Sequence, residues 1–200
     1  MSFHPAMDYG RGRHQSARQM PEAGPAFVFT ADRRARLEEI CARYPAEQRK
    51  SAILAALYLA QDQQGYLTLN AIRHVAEAIG CAPAQVEDVV SFYTMFYTRP
   101  VGRHVLQVCR TLSCALMGAE RVTEELANAL HLRPGETDAT GEFTLLEVEC
   151  LGACDRAPVV GVNDHWHECQ KPDDARALVE GLRAKGTASL TGCYLKVEKS

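Results

Sequence analysis

Eight cysteines stand in this chain of 200 residues, and four of them form two close pairs: Cys109 and Cys114 in a C-x4-C arrangement, Cys150 and Cys154 in C-x3-C. Four thiolates are soft donors that hold either a zinc ion or a [2Fe-2S] cluster, and softness alone does not choose between them. Spacing favours the cluster. Structural zinc sites mostly use two-residue gaps that wrap a single ion, whereas gaps of four and three suit a larger two-iron unit. The competing view, four inert buried thiols, is weakened by the loops. Leu151-Gly152-Ala153 is small enough to let backbone amides approach sulfur, and such contacts tune a cluster's potential.

The surrounding pattern explains how two distant pairs meet. His104 to Cys109 alternates as a strand, Met117 to Leu130 carries helical spacing, and Phe143 to Glu149 reads as a second strand. The crossover between the pairs makes the two strands parallel neighbours, so their C-terminal ends lie side by side and bring the four thiols together. Cys114 falls just before the Met117 helix, whose free amides would face an anionic cluster. Val159 to Val162 and His165 to His167 form a hairpin around Asn163-Asp164, and Pro172 to Lys185 a last helix. The order β-α-β-β-α fits a short sheet with helices packed on it, a thioredoxin-like sandwich.

Upstream the chain is helical. One helix starts at Thr30 and stops before Pro45, a second runs from Ser51 to Gln64 and ends at Gly65, a third from Leu69 to Gly80, and a fourth opens at Pro83 and carries Val86, Val89, Val90, Tyr93 and Tyr97. Arg99-Pro100-Val101-Gly102 is a joint rich in breakers. The expected domains are a flexible tail at 1–29, a helical module at 30–98, the thioredoxin-like domain at 99–185 and a loose C-terminal tail at 186–200.

These residues resemble the thioredoxin-like [2Fe-2S] component of respiratory complex I, the NADH-quinone oxidoreductase, where that component belongs to the NADH dehydrogenase module. The likeness covers about residues 44–185 and rests on Cys150-Leu151-Gly152-Ala153-Cys154-Asp155-Arg156-Ala157-Pro158-Val159-Val160, on Ser91-Phe92-Tyr93-Thr94-Met95-Phe96-Tyr97, and on Gln107-Val108-Cys109 with Leu112-Ser113-Cys114. The resemblance implies a mixed α/β fold class, a small N-terminal helical bundle followed by a thioredoxin-like [2Fe-2S] ferredoxin domain. It places the cluster ligands on Cys109, Cys114, Cys150 and Cys154. It further implies an electron carrier beside a partner subunit that binds FMN and NADH, within an assembly of further complex I subunits peripheral to the cytoplasmic face of the inner membrane. The hairpin departs from the family's habit in reading His165-Trp166-His167-Glu168-Cys169.

Composition agrees with such a partner-dependent carrier. Lys plus Arg number 22 against 25 for Asp plus Glu, a net charge of −3 that offers no basic field for nucleic acid. No apolar run reaches the roughly 20 residues of a membrane span, so no direct membrane insertion is expected. The chain has no G-x-G-x-x-G after a strand and no phosphate-binding loop, so nicotinamide and flavin must be held elsewhere. Two other functions compete: the equivalent diaphorase subunit of an NAD-linked hydrogenase or formate dehydrogenase, and a zinc-stapled interaction module. His165, His167 and Cys169 alternate onto one strand face, where a polar face is favoured over a second metal site. Cys41 and Cys81 are expected as buried or half-buried thiols, and Cys193 as a free thiol in the tail. Tyr93, Phe96 and Tyr97 are expected to pack in the core, with contact to the flavoprotein as the functional alternative.

Overall fold

The structure, a computed structural model, describes residues 22–189. These divide into two compact units, 22–100 and 101–189.

The first unit is helical. Helices α1 (Ala31–Cys41), α2 (Ile53–Gln64), α3 (Leu69–Ile79) and α4 (Pro83–Phe92) surround one core, with a 3-10 turn at Ala46–Ala52 leading into α2. Leu37, Leu57, Leu67, Ile72, Val75, Val86 and Phe96 are fully buried in it. The helix ends follow from local chemistry. Gly65 (φ 89°) and Gly80 (φ 82°) take the left-handed conformation that closes α2 and α3. The Thr68 hydroxyl accepts from the Ala71 amide 3.2 Å away and caps α3.

Two expectations need correction here. Residues 22–29, read as part of a flexible tail, are packed: Phe27 and Phe29 are buried, meet edge to face at 5.4 Å, and both stack against His74. The carbonyls of Glu22 and Ala23 accept from the amides of Leu69 and Asn70, so this segment satisfies the start of α3. The rest of the expected tail lies outside the described residues, as does Cys193. The last helix of the unit is also shorter than expected. It ends at Phe92, and Tyr93 turns to extended backbone (ψ 114°). The chain beyond finds its partners on α2 and the α2–α3 loop instead, because Tyr97 donates its amide to Gln61 Oε1 at 2.7 Å and accepts from the Leu67 amide. Phe96 is accordingly fully buried, edge to face with Tyr58 at 5.2 Å.

The second unit carries a four-stranded sheet in the order β2-β1-β3-β4, from β1 (His104–Cys109), β2 (Phe143–Val148), β3 (Val160–Val162) and β4 (His165–His167). Strands β1 and β2 are parallel, and β3 runs antiparallel to both β1 and β4. The crossover from β1 to β2 holds α5 (Leu112–Leu116) and α6 (Ala119–Leu130), and α7 (Ala175–Lys185) follows the hairpin after a 3-10 turn. Leu106, Val108, Leu145, Val160 and Val162 from the sheet bury against Val122 and Leu126 of α6 and Val179 and Leu182 of α7. Asn163 adopts φ 53° at the hairpin turn, where Asn tolerates the left-handed region. The helix expected from Met117 is α6, which begins two residues later, and a separate short turn precedes it. Gly118 (φ 92°) sets the start of α6 at Ala119 and divides it from α5, the turn that contains Cys114.

Candidate metal centre

The parallel pairing of β1 with β2 sets Cys109, the last residue of β1, opposite Val148, the last residue of β2. Cys150 follows two residues later, so one cysteine leaves each of two neighbouring strand ends. The other member of each pair sits on the helical turn that follows: Cys114 within α5, Cys154 at the start of the 3-10 turn Cys154–Arg156. Cys114 is therefore inside a turn rather than ahead of a long helix, and it gains no α6 N-terminus.

The two pairs differ in exposure. Cys109 and Cys114 are buried, each 2% exposed, while Cys150 and Cys154 are exposed. The outer sulfurs lie 3.5 Å apart, close to the about 3.8 Å that separates two thiolates on one tetrahedral metal with metal–sulfur bonds of about 2.3 Å.

Hydrogen bonds sort the four thiols into two kinds. Burial alone would push the Cys109 thiol up, but the Thr111 hydroxyl and amide, the Leu151 amide and the Cys114 thiol outweigh it and hold it below its ordinary 9.0. The Thr111 Oγ1 lies 3.3 Å from Cys109 Sγ. The Cys150 thiol is held down by the Gly152 amide, which donates to its sulfur at 3.4 Å, then by the Cys154 thiol and the Thr111 hydroxyl. Cys114 moves the other way, pushed up to about 11 by burial and by donating to Cys109. Cys154 is raised by donating to Cys150, against a bond from the Ser113 hydroxyl. Each pair thus holds one strand-end sulfur whose pKa is lowered and one partner whose pKa is raised, and the charge of Cys109 in the inner pair acts on Cys154 of the outer. This is a donor set ready to exchange protons for metal.

The donor chemistry fits a [2Fe-2S] cluster: two thiol pairs, with backbone amides and hydroxyls already directed at sulfur. Among the described residues no group of three or more His, Cys, Asp and Glu side chains is already drawn together to hold a metal ion, the four cysteines included. The hairpin shows why a second site there finds no support. His165 is exposed while His167, two residues on, is buried, so the alternation of the strand does not give them a common environment. Cys41 is buried and Cys81 half-buried, both with thiols pushed up by burial. Thr111 and Ser113 were not singled out from the sequence, although hydroxyls inside a ligand loop, Thr111-Leu112-Ser113-Cys114, are a signal available there.

Residues 37–183 match the model of the thioredoxin-like [2Fe-2S] ferredoxin family. The chain belongs to that family, and two of its similar relatives are named as NADH-quinone oxidoreductase subunits. It is 41% identical over 157 residues to NADH-quinone oxidoreductase subunit 2 of Thermus thermophilus, spanning 78% of this chain and 87% of the relative. It is 42% identical over 151 residues to an NADH-quinone oxidoreductase subunit of Rhizobium meliloti, spanning 76% of this chain and 89% of the relative. Among solved structures, the air-oxidised NAD+-reducing [NiFe]-hydrogenase matches with a TM-score of 0.59 over 67% of this chain, at 23% identity, and this chain spans 23% of that one. That likeness speaks for the fold alone. No helix among the described residues is long and apolar enough to cross a membrane.

Proposed function

We propose that this chain is the electron-transfer subunit of an NADH-quinone oxidoreductase, with one [2Fe-2S] cluster held by Cys109, Cys114, Cys150 and Cys154. The observation that carries the reading is the convergence of two cysteine pairs at the C-terminal ends of parallel strands β1 and β2, within a family match that spans both strands. When bound, such a cluster accepts and releases single electrons. The chain's own part is to hold it. The buried inner pair keeps water from one side, the exposed outer pair opens the other, and the Thr111 hydroxyl with the Gly152 amide offset negative charge on sulfur.

NADH and FMN belong to a partner subunit of the same complex, which exchanges electrons with this chain. Further complex I subunits complete the assembly, peripheral to the cytoplasmic face of the inner membrane. The helical module, residues 30–98 extended by the packed segment 22–29, serves the docking of that neighbour, while 99–185 forms the cluster domain. Aromatic contact to the flavoprotein from this module would fall to Phe92, 77% exposed, because Phe96 is spent in the core.

The test is spectroscopic. The anaerobically purified chain is expected to show a visible chromophore that bleaches with dithionite and gives a rhombic spin-half EPR signal, with iron and sulfide near two each. Cys150→Ser is expected to alter or abolish that signal. A colourless, EPR-silent protein holding one zinc would overturn the electron-transfer reading. Co-purification with a flavin- and NADH-binding subunit, against a hydrogenase or formate dehydrogenase subunit, decides the assembly.

A further inference from the structure

Cys150 and Cys154 differ from the inner pair in a way that matters when no cluster is bound. Their sulfurs lie 3.5 Å apart and both residues are exposed, whereas Cys109 and Cys114 are each only 2% exposed. Gly152 sits in the loop between them at φ 82°, with open space where a side chain would begin, while Leu151 and Ala153 on either side pack against the core, so the approach of the sulfurs falls to the two cysteine side chains. A disulfide needs the sulfurs to come from 3.5 Å to about 2.05 Å, a movement shared between two exposed side chains.

We propose that in the cluster-free chain Cys150 and Cys154 are a reversible thiol–disulfide pair that closes selectively, leaving Cys109 and Cys114 reduced, and that closure blocks cluster assembly until a dithiol reopens it. The pair itself stands on geometry; the block on assembly rests on the ligand set proposed above.

The chemistry balances with a small-molecule disulfide such as oxidised glutathione as oxidant. One outer thiolate attacks a glutathione sulfur, the S–S bond of glutathione breaks, and one glutathione leaves. The second outer thiolate then attacks the mixed disulfide, the Cys150–Cys154 bond forms, and the second glutathione leaves. The pair gives up two electrons and two protons, and one glutathione disulfide becomes two glutathiones. Because the second sulfur is already at 3.5 Å, ring closure outruns capture of a second glutathione. Cluster assembly is blocked because two of four donors are then tied to each other.

The experiment uses the full chain, stripped of metal with a chelator and dithiothreitol under argon, then exposed to oxidised glutathione, alkylated and digested with trypsin. Arg133 precedes Pro134, so Cys150 and Cys154 fall together in the peptide 122–156, while Cys109 falls in 104–110 and Cys114 in 111–121. The expected result is a 122–156 peptide two hydrogens lighter and without alkyl groups, outnumbering its glutathionylated form by roughly tenfold or more. Cys109 and Cys114 stay alkylated, and Cys169, exposed and single, takes glutathione. Iron and sulfide added to a separate portion of the oxidised chain, taken before alkylation, yield no chromophore until dithiothreitol is supplied.

Glutathione adducts on Cys150 and Cys154 without the internal bond would overturn the proposal, as would a cross-link between the peptides of Cys109 and Cys114 in preference. An oxidised chain that assembles a normal cluster would overturn the block. If the fully reduced chain takes up no cluster at all, the function proposed above fails instead, and the disulfide result stands apart from it.

Discussion

Thr111→Val removes one hydroxyl and little else. Thr111 is the residue ahead of α5, but its side chain caps no amide there; the hydroxyl is spent on Cys109 Sγ at 3.3 Å and on Cys150. Valine keeps the shape and the β-branched stiffness. A hydrogen bond to a charged acceptor contributes about 1.5–3 kcal/mol, and one added electron spread over four thiolates raises the charge on each by about a quarter. The bond therefore strengthens on reduction by roughly 0.4–0.8 kcal/mol. With a tenfold change in equilibrium at about 59 mV for one electron, its loss makes the potential more negative by about 15–35 mV. The assay is an EPR-monitored redox titration of wild type and variant, with iron content measured to show equal loading. A potential unchanged or shifted upward, at full iron and sulfide, would refute the assignment of this hydroxyl to sulfur.

Other substitutions test the elements behind the site. At Gly102 a Cβ would lie 2.5–2.8 Å from the backbone of Phe143, which cannot move without shifting β2 against β1, so Gly102→Ala should destabilise the sheet by about 1–3 kcal/mol and lower its melting transition. Phe96→Ala should cost about 3–5 kcal/mol in the helical unit and would mark Phe96 as a surface residue if the cost were under 1. Desolvation holds the imidazoles of His104 and His167 below their ordinary 6.5, so the unfolded chain takes those protons first as pH falls. The contribution of these two histidines is then complete above about pH 7 and is lost as pH drops through 6.5 toward the folded-state values, a slope visible in urea midpoints between pH 7.5 and 5.5. His167→Gln should flatten part of it, and an unchanged slope would remove His167 from the account.

The elements most readable from residues were those whose ends carry a backbone requirement. Gly65 and Gly80 closed α2 and α3 where the apolar spacing stopped, and the alternation of residues 104–109 marked β1 with the bounds found in the structure. Spacing also brought out the four cysteines before any geometry. What periodicity missed were choices made by tertiary partners. Tyr93 leaves helix because Gln61 and Leu67 satisfy the chain beyond it, and Phe27 and Phe29 look like tail until His74 provides a surface to bury them. The helix expected from Met117 is α6 to within two residues, but the five-residue turn that carries Cys114 is too short to show a period of its own. The hydroxyls of Thr111 and Ser113 escaped because serine and threonine in a loop signal turns far more often than sulfur contacts.

The two cysteine gaps have one structural meaning. In each pair the first cysteine leaves the end of a parallel strand and the second rides on the next helical turn, α5 after β1 and the 3-10 turn after β2. A gap of four or three residues is the chain needed to reverse from strand direction into a turn that faces back toward the strand end. The same construction explains the division of protons. A strand-end sulfur meets amides of the chain that has just turned, Thr111 for Cys109 and Gly152 for Cys150, and these hold its pKa below the ordinary 9.0. The turn sulfur donates to its strand-end partner, which raises it against one bond from the Val159 amide at Cys114 or the Ser113 hydroxyl at Cys154, so Cys114 and Cys154 are the two that give up their protons less readily when metal arrives. Cluster loading should therefore strengthen as pH rises toward the Cys114 value of about 11. Its limiting step should follow the buried Cys114 rather than the exposed Cys154, because only the inner thiol must also lose its proton through a packed wall.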